Sequence, residues 1–328
     1  MRLVKIPYSD VKRDLEAVEA QGSSSASTKN FNTSFHSAHE APDLEVPSEA
    51  PYSFKRWLPL ILRSRNLTSS AGVQTVSLTR PQARLLFRAC EGSILTGTLN
   101  RMYADDLQDE IVPLLSTQLA FPPEGLFLRL DACSPKDGVQ NPPGKASLHT
   151  VEEVILRIVT STRARNALFH TLEDTKQVAV EMYFLPFNPQ MRSEREYRVF
   201  CRPGDARMTG ISQYRWHKPW LLATDTEGQP KSGREMEGVA GIVTTGATHL
   251  HRQILGELQR DDENELLLKQ GFSFDVFYDE DKGQCELVEL NTFGVRSACG
   301  SCLFQWVKDR HILYGQEDIE FRVTLQTR

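Results

Sequence analysis

Two carboxylates and one amide in the last quarter of the chain have the spacing of a cation site. Asp275 lies in one alternating segment, and Glu289 and Asn291 lie in the next, beyond the polar loop Asp279-Glu-Asp-Lys-Gly-Gln. A hairpin with its midpoint at Lys282 places Asp275 opposite Glu289. Asn291 shares their face, because side chains alternate along a strand.

This register predicts a particular chemistry. Directly opposed carboxylates have Cβ atoms about 4.5–5.5 Å apart, where like charges destabilise the pair. One carboxylate is then driven toward protonation unless a cation lies nearby. Two carboxylates and an amide oxygen suit a hard cation, and Mg²⁺ commonly adds phosphate oxygens to such ligands. The pattern therefore predicts magnesium with a nucleotide, and the alternative is an acidic solvent face that only aids solubility.

The opposite face of the same hairpin is apolar, as a core-facing surface requires. It carries Phe274, Val276, Val288 and Leu290. A strand bulge in the hairpin would shift this assignment by one residue.

A second candidate site follows the segment that ends in Arg129. This cation precedes a small polar turn that contains Ser134, Lys136 and Asp137. Charge and backbone N–H groups in such a turn can contact phosphates, although the segment does not match G-x-x-x-x-G-K-[ST]. An ordinary exposed turn is the alternative. Arg198 shares a strand face with Glu196, and there the alternative is a surface ion pair.

The composition narrows the class of protein. The chain has 328 residues, 40% of them hydrophobic, which is enough to bury one large core or two moderate ones. A net charge of −5 and a pI of about 6.0 argue against a bulk nucleic-acid binder. No apolar run approaches the roughly 18 residues of a membrane span, and the N-terminus has no apolar signal-peptide core. We expect a cytoplasmic protein that binds neither membrane nor nucleic acid.

The six cysteines are scattered along the chain, and we expect them to be reduced. Cys299-Gly-Ser-Cys302 has the C-x-x-C spacing. Because no second pair and no histidine ligands accompany it, the spacing favours a structural role over a metal or redox role.

The candidate sites lie on or beside predicted strands. Those strands cover 125–130, 178–185, 196–201, 207–213, 272–278 and 285–290. The predicted helices cover 4–19, 80–90, a segment starting at Thr150 with a capping-box partner in Glu153, and 247–267, where a break around Asp261 is an alternative. Hairpins mixed with helices indicate an α+β fold.

The domain prediction has three parts. Residues 1–52 are rich in small, polar and acidic types and are predicted to form a disordered leader. One domain covers 53–315, with subdomains at about 53–185 and 186–315. Residues 316–328 are predicted to be a C-terminal tail.

Five short motifs occur in an order that resembles the cell division cycle protein 123 (D123) family. They run from about Phe54 to Trp306 and are Phe127-Leu-Arg-Leu-Asp-Ala-Cys-Ser-Pro-Lys-Asp137, Glu196-Tyr-Arg-Val-Phe-Cys201, Gly210-Ile-Ser-Gln213, Phe274-Asp-Val-Phe277 and Leu287-Val-Glu-Leu-Asn-Thr-Phe-Gly294. The resemblance implies an ATP-grasp-like fold, in which two α/β subdomains with antiparallel sheets clasp ATP.

The resemblance also implies ligand contacts at matching positions. Those for ATP are Arg129, Ala132, Ser134, Lys136, Asp137, Tyr183, Phe184, Leu185 and Arg198, and those for magnesium, also beside ATP, are Asp275, Glu289 and Asn291. Tyr183 to Leu185 match a segment bordering adenine, where an apolar slot with backbone donors and acceptors would suit the base. The family usually has lysine at the Arg129 position and Asp-Phe-Asn-Pro where this chain has Glu289-Leu-Asn291-Thr292. Arginine keeps the charge but not the geometry of lysine.

The family's eukaryotic members are assembly factors for translation initiation factor 2 and bind its gamma subunit. The resemblance therefore implies a cell-cycle-related ATP-binding chaperone with that partner. An ATP-grasp carboxylate–amine ligase or other phosphoryl-transfer enzyme is the competing function, although no acceptor site is recognisable in the sequence. A third alternative is a scaffold that keeps the fold but no longer binds nucleotide. The segment from Ser212 to Trp220, with three aromatic and three basic residues, could contact a partner, cover the ATP cleft, or pack its tryptophans on the core.

Overall fold

The computed structural model describes residues 1–20, 28–67, 72–174, 178–258 and 262–326. Its contacts divide the chain into two compact units. The discontinuous unit consists of Met1–Asn66 and Gln190–Arg328, and the continuous unit consists of Leu67–Pro189. Residues 53–66, predicted to belong with 67–185, instead join the discontinuous unit.

The continuous unit contains three strands and five helices among its described residues. The strands are β2 (Gln74–Thr79), β3 (Leu126–Leu130) and β4 (Ala179–Pro186). The helices are α3 (Arg80–Thr96), α4 (Ala104–Glu110), α5 (Val112–Gln118), α6 (Val151–Val159) and α7 (Thr162–Glu173).

The sheet of the continuous unit is antiparallel in the order β2-β4-β3. Its apolar face includes Leu78, Leu128 and Phe184, which are buried in one core with apolar side chains of α3 to α7. The opposite face carries Arg129 and Tyr183. The two-residue period of a strand thus separates the core from the opposite face, which carries the candidate phosphate contact Arg129.

The discontinuous unit contains six strands and five helices among its described residues. The strands are β1 (Arg2–Pro7), β5 (Glu196–Cys201), β6 (Met208–Gln213), β7 (Phe272–Asp279), β8 (Gln284–Thr292) and β9 (Glu320–Leu325). The helices are α1 (Tyr8–Ala20), α2 (Phe54–Ser64), α8 (Gly233–Glu257), α9 (Asp262–Gln270) and α10 (Arg310–Leu313).

The six-stranded sheet has the order β1-β9-β6-β5-β7-β8. The predicted α+β class is confirmed, and the predicted antiparallel pairing holds except for the two pairs that β9 makes. β9 runs parallel to both β1 and β6. Its outer neighbour β1 comes from the opposite end of the chain, so no hairpin connection forces an antiparallel direction.

The predicted disordered leader is wrong for most of its length. Residues 2–20 form β1 and α1, and the following described segment is held by the loop near residue 300: Asn32 N–H donates to Cys302 O at 2.7 Å, and Phe35 N–H donates to Ser297 O at 2.9 Å. A prediction from composition considers the segment in isolation, whereas these backbone N–H groups bond to residues up to 270 positions away in the chain. Residues 21–27 lie outside the described residues.

The predicted C-terminal tail is also wrong over 320–325, which form β9. Phe321 and Val323 are completely buried there. A six-residue terminal strand carries no hairpin signal, and its partners are distant in sequence, so the tail assignment rested on position alone.

The long helix predicted for 247–267 differs at both ends. α8 begins earlier, after a capping box in which Ser232 and Glu235 bond reciprocally. Its glycines obscured the helical pattern, and one of them is required by packing: a Cβ at Gly246 would lie 2.5 Å from Cys285 Sγ. α8 ends at Glu257 and α9 starts at Asp262; residues 259–261 are not among those described.

The predicted start of α6 at Thr150 is confirmed. Its hydroxyl accepts a hydrogen bond from Glu153 N–H at 3.2 Å. In a capping box the Glu153 carboxylate would accept from the N–H of Thr150. Here it accepts instead from the preceding residue, His149 N–H, at 2.6 Å, and also from Lys145 Nζ.

Replacing Thr150 by alanine is therefore expected to cost about 1 kcal/mol of unfolding free energy, because a donor of the first turn loses its partner. Urea unfolding followed by far-UV circular dichroism measures the loss. Thr150→Ser keeps the hydroxyl and should be close to wild type. Equal losses for both variants would show that the cap contributes nothing.

Among the residues described, no helix is long and apolar enough to cross a membrane.

Candidate functional site

The register predicted for the hairpin is confirmed where the candidate ligands lie. β7 and β8 pair Asp275 with Glu289 and Ser273 with Asn291. A β-bulge at Val288 then shifts the pairing by one residue toward the turn, so that Val276 lies opposite Leu287.

The bulge corrects the predicted apolar face at one position. Leu287 is completely buried, whereas Val288 is only half-buried. The edge of β8 is covered at the bulge, because Leu287 N–H donates to Ser64 Oγ at 2.9 Å and Leu287 O accepts from Arg65. The side chains at the end of α2 thus satisfy the groups that an edge strand leaves unpaired.

An arginine side chain lies in line with the two acidic residues. β5 pairs with β7 so that Arg198 lies opposite Asp275, and Arg198, Asp275 and Glu289 therefore occupy one row across three adjacent strands. We call Arg198, Asp275, Glu289 and Asn291 the acidic row. Arg198 Nε and Nη2 donate to the two oxygens of Asp275 at 2.8 and 2.6 Å.

This ion pair is buried and geometrically complete. Asp275 is 1% exposed and Arg198 is 6% exposed. Arg198 Nη1 donates to Gly300 O at 2.8 Å, and the guanidinium lies 5.1 Å from the ring centre of Tyr214. Two parallel charge-assisted bonds are the geometry that allows an ion pair to persist in an interior.

The charges of the acidic row influence one another strongly. Burial raises the pKa of Asp275, Arg198 opposes that rise, and nearby Glu289 adds to it. Burial acts to lower the pKa of Arg198 and the attraction of Asp275 acts against it, and this pKa remains well above its ordinary value. We assign both groups as ionised, because the two short bonds require a guanidinium facing a carboxylate.

The other two candidate ligands adjoin the same carboxylate. Asn291 Nδ2 donates to Asp275 Oδ2 at 3.3 Å, and Glu289 is within hydrogen-bonding range of Asp275. The described residues contain no cluster of three His, Cys, Asp or Glu side chains placed to hold a metal, and the candidate ligands here are two carboxylates and one amide. Carboxylate and amide oxygens fit Mg²⁺ in type, but Asp275 already shares its charge with Arg198.

Two buried thiols lie beside the same guanidinium. Burial raises the pKa of Cys299 to about 11 and that of Cys302 to about 12, and Arg198 acts against both shifts. Both groups are therefore thiols at neutral pH. None of the six cysteines forms a disulfide.

The segment from Ser212 to Trp220 is fixed by buried contacts. Trp220 is 2% exposed and donates from Nε1 to Tyr197 Oη at 2.8 Å. The Gln213 amide donates to Lys218 O at 2.7 Å. Burial lowers the pKa of His217, and the nearby cations add to this effect. Trp220 thus packs on the core, while Trp216 and His217 remain half-buried.

In the continuous unit, the candidate adenine residues separate onto two faces. Tyr183 lies opposite Arg129 in the β3–β4 pair, and Leu185 shares their face by alternation. The side chain of Phe184 points the other way, into the core. The prediction that Phe184 borders adenine is therefore wrong for its side chain.

The backbone groups of this segment are also paired within the sheet. β4 is the central strand, and Tyr183 and Phe184 have register partners in both β2 and β3. Their N–H and C=O groups belong to the ladders, so the predicted backbone contacts to adenine cannot come from these two residues.

Two of the predicted ATP contacts in the loop after Arg129, Ser134 and Asp137, make hydrogen bonds that hold the loop itself. Ser134 is 2% exposed and donates to Leu128 O at 3.2 Å. Asp137 accepts from Ser161 Oγ at 2.5 Å and from Arg163 N–H at 3.2 Å, so its carboxylate sits at the positive N-terminus of α7. Ala132 and Lys136 are exposed on the same loop, and Arg129 is nearly buried on the strand before it.

Arg157, which sequence reasoning missed, positions this loop. It is 6% exposed and donates to Val139 O and Lys145 O, each at 3.0 Å. Burial lowers the pKa of Arg157, with Glu153 acting against that effect. The signal in the sequence was one arginine between the apolar neighbours Leu156 and Ile158.

Comparison with known proteins shows the fold. No protein-family model and no curated protein matches the sequence. The structure of Cdc123 from Schizosaccharomyces pombe matches 87% of this chain and 100% of its own, with 18% identity and a TM-score of 0.55. A C-terminally truncated form of the same protein gives 16% identity with the same coverage and TM-score.

The resemblance predicted from the motifs is thus confirmed at the level of the fold: this chain has a Cdc123-like fold. A RimK domain ATP-grasp protein from Sphaerobacter thermophilus also matches, over 81% of this chain and 64% of its own, with 12% identity and a TM-score of 0.29. A likeness that weak supports no argument about this chain.

Proposed function

We propose that this chain is a divergent Cdc123-type assembly factor that binds Mg–ATP and acts on translation initiation factor 2 through its gamma subunit. The Cdc123-like fold over most of the chain supports the family assignment. The acidic row carries the nucleotide part of the proposal, since two carboxylates, an amide and an arginine converge on one sheet face.

Within this proposal each group has a role. Glu289, Asn291 and Asp275 would hold Mg²⁺, which neutralises phosphate charge when bound. Arg198 would contact a phosphate, since its planar guanidinium matches phosphate oxygens as it matches Asp275. In the continuous unit, Arg129 and Lys136 are the candidate phosphate contacts, and Tyr183 and Leu185 are the candidate apolar border of adenine.

The metal assignment can be tested with an isosteric change. Glu289→Gln keeps the shape of the side chain and removes its charge. We expect its ATP affinity in Mg²⁺ to fall about tenfold or more, because even supporting residues of metal sites have effects of that size. Without Mg²⁺, its ATP affinity should stay near that of wild type. Isothermal titration calorimetry in Mg²⁺ and in EDTA gives the four affinities.

Asp281→Asn is the matched control, because it removes an exposed carboxylate from the turn of the same hairpin. It should bind ATP as wild type does in both buffers. Equal Mg²⁺ dependence in wild type and Glu289→Gln would remove the metal assignment.

The partner is tested separately from the nucleotide. Purified gamma subunit should be retained by the full chain, and the other subunits of the factor alone should not. Repeated failure to retain gamma would overturn the assembly role and leave the ATP result standing. Release of ADP or phosphate with pooled amino-acid and amine substrates, but not in their absence, would favour the ligase function instead.

A further inference from the structure

The partner of Asp275 gives the acidic row a property that a plain carboxylate site lacks. We infer that Arg198 is a built-in counter-ion, which keeps a divalent metal off Asp275 until phosphate groups draw the guanidinium away. Metal and nucleotide then bind together rather than independently. This inference rests on the proposed Mg–ATP function and adds the order in which its parts assemble.

While Arg198 and Asp275 are paired, the oxygens of Asp275 are occupied by hydrogen bonds. Both oxygens of Asp275 accept from Arg198, and Asn291 Nδ2 donates to one of them. A metal that approached Asp275 would therefore have to displace hydrogen bonds that already occupy both of its oxygens.

A dication entering beside Glu289 would also meet the guanidinium as a like charge. The repulsion is strong here, because Arg198 and Asp275 are both almost inaccessible to water and the effective dielectric constant is low. Desolvation disfavours removing the guanidinium without a new partner. A metal alone therefore competes poorly for Asp275.

A nucleotide offers what the metal lacks. Phosphate oxygens accept bidentate bonds from a guanidinium in the same planar arrangement as a carboxylate. The ring of Tyr214 flanks the guanidinium and is a second surface on which a displaced Arg198 can rest. Once phosphate replaces Asp275 as the partner of Arg198, the Asp275 oxygens that accepted from the guanidinium become available to the cation. Thermodynamic linkage then requires each ligand to raise the affinity of the other.

The experiment uses Mn²⁺ as the probe, because electron paramagnetic resonance counts free Mn²⁺ directly. The full chain is titrated with Mn²⁺ in the absence of nucleotide, as wild type, Arg198→Gln and Arg202→Gln. Arg202 is the matched control, since it also forms a bidentate pair, with Asp205, outside the row.

We expect Arg198→Gln to bind Mn²⁺ at least about tenfold more tightly than wild type, because a charge this close shifts the cation affinity of a carboxylate by an order of magnitude or more. Arg202→Gln should match wild type. If folded Arg198→Gln binds Mn²⁺ no better than wild type, the counter-ion role is wrong, whatever the ATP titrations give. If wild type fails to bind Mg–ATP while Arg198→Gln gains Mn²⁺ affinity, the proposed function is wrong and the counter-ion role stands.

A measurement on wild type keeps the inference testable if Arg198→Gln does not fold. The ¹⁵Nε resonance of Arg198, assigned by its loss in Arg198→Lys, reports the bond to Asp275. We expect millimolar Mg²⁺ alone to leave this resonance unchanged and Mg–ATP to shift it. A shift produced by Mg²⁺ alone, or no shift under conditions where calorimetry shows that Mg–ATP is bound, overturns the inference.

Discussion

Replacing Arg198 by methionine is expected to lower the free energy of unfolding of the discontinuous unit by about 3–5 kcal/mol, the usual cost of leaving half of a buried ion pair. The variant leaves Asp275 at 1% exposure with no counter-charge and with Glu289 beside it. Guanidinium chloride unfolding followed by tryptophan fluorescence measures the loss, because the four tryptophans of the chain all belong to this unit: Trp57, Trp216, Trp220 and Trp306.

The double variant Arg198→Met/Asp275→Leu separates the value of the pair from the cost of breaking it. Both charges are gone, so most of the lost stability should return. Asp43→Ala is the control, since it breaks the exposed pair with Arg310, and its unfolding midpoint should stay close to wild type. A double variant as unstable as Arg198→Met alone would show that packing, not the unpaired charge, sets the cost.

The two neighbours of Asp275, Glu289 and Arg198, differ in how well the sequence could predict them. The pairing of Asp275 with Glu289 was predictable because a hairpin is local: one turn and one two-residue period fix it. The pairing of Asp275 with Arg198 needs β5 beside β7, which are separated by 70 residues or more along the chain. The sequence showed Arg198 and Asp275 as separate candidates and gave no reason to join them.

The remaining errors in the fold have the same cause. β1 and β9 pair with each other from opposite ends of the chain, and neither has a hairpin partner to reveal it. The bulge at Val288 lies where Ser64 and Arg65 bond to the edge of β8. Because these contacts come from a distant part of the chain, the residue pattern of the strand does not predict them. Strong local signals, such as Thr150 before α6, survived because their partners lie within one turn of helix.

The second large effect is expected at Gly138, in the loop of the continuous unit that carries the candidate phosphate contacts. A Cβ there would lie 2.1 Å from Arg157 O and 3.0 Å from Arg157 C. Because the obstructing atoms are helix backbone, the loop must move. Gly138→Ala should therefore cost about 3 kcal/mol, at the upper end of overpacking losses. Far-UV circular dichroism and hydrogen exchange in α6 measure it, because this unit contains no tryptophan.

Gly72→Ala is the control in the same unit, since the nearest atom to its added methyl group lies at 3.7 Å; its stability should change little. Normal stability in Gly138→Ala would show that the loop moves away from Arg157 at little cost.

The same variant tests whether the loop serves the nucleotide. At a temperature where Gly138→Ala stays folded, a displaced loop carries Lys136 away from its native position, and ATP affinity should fall while the Mn²⁺ affinity of the acidic row is unchanged. Arg157→Met should produce the same combination, because it removes both side-chain bonds that hold the loop at Val139 and Lys145. If both variants lose stability but bind ATP as wild type does, the loop is a structural connection, and the phosphate contacts must be sought on the strands, at Arg129 and Arg198.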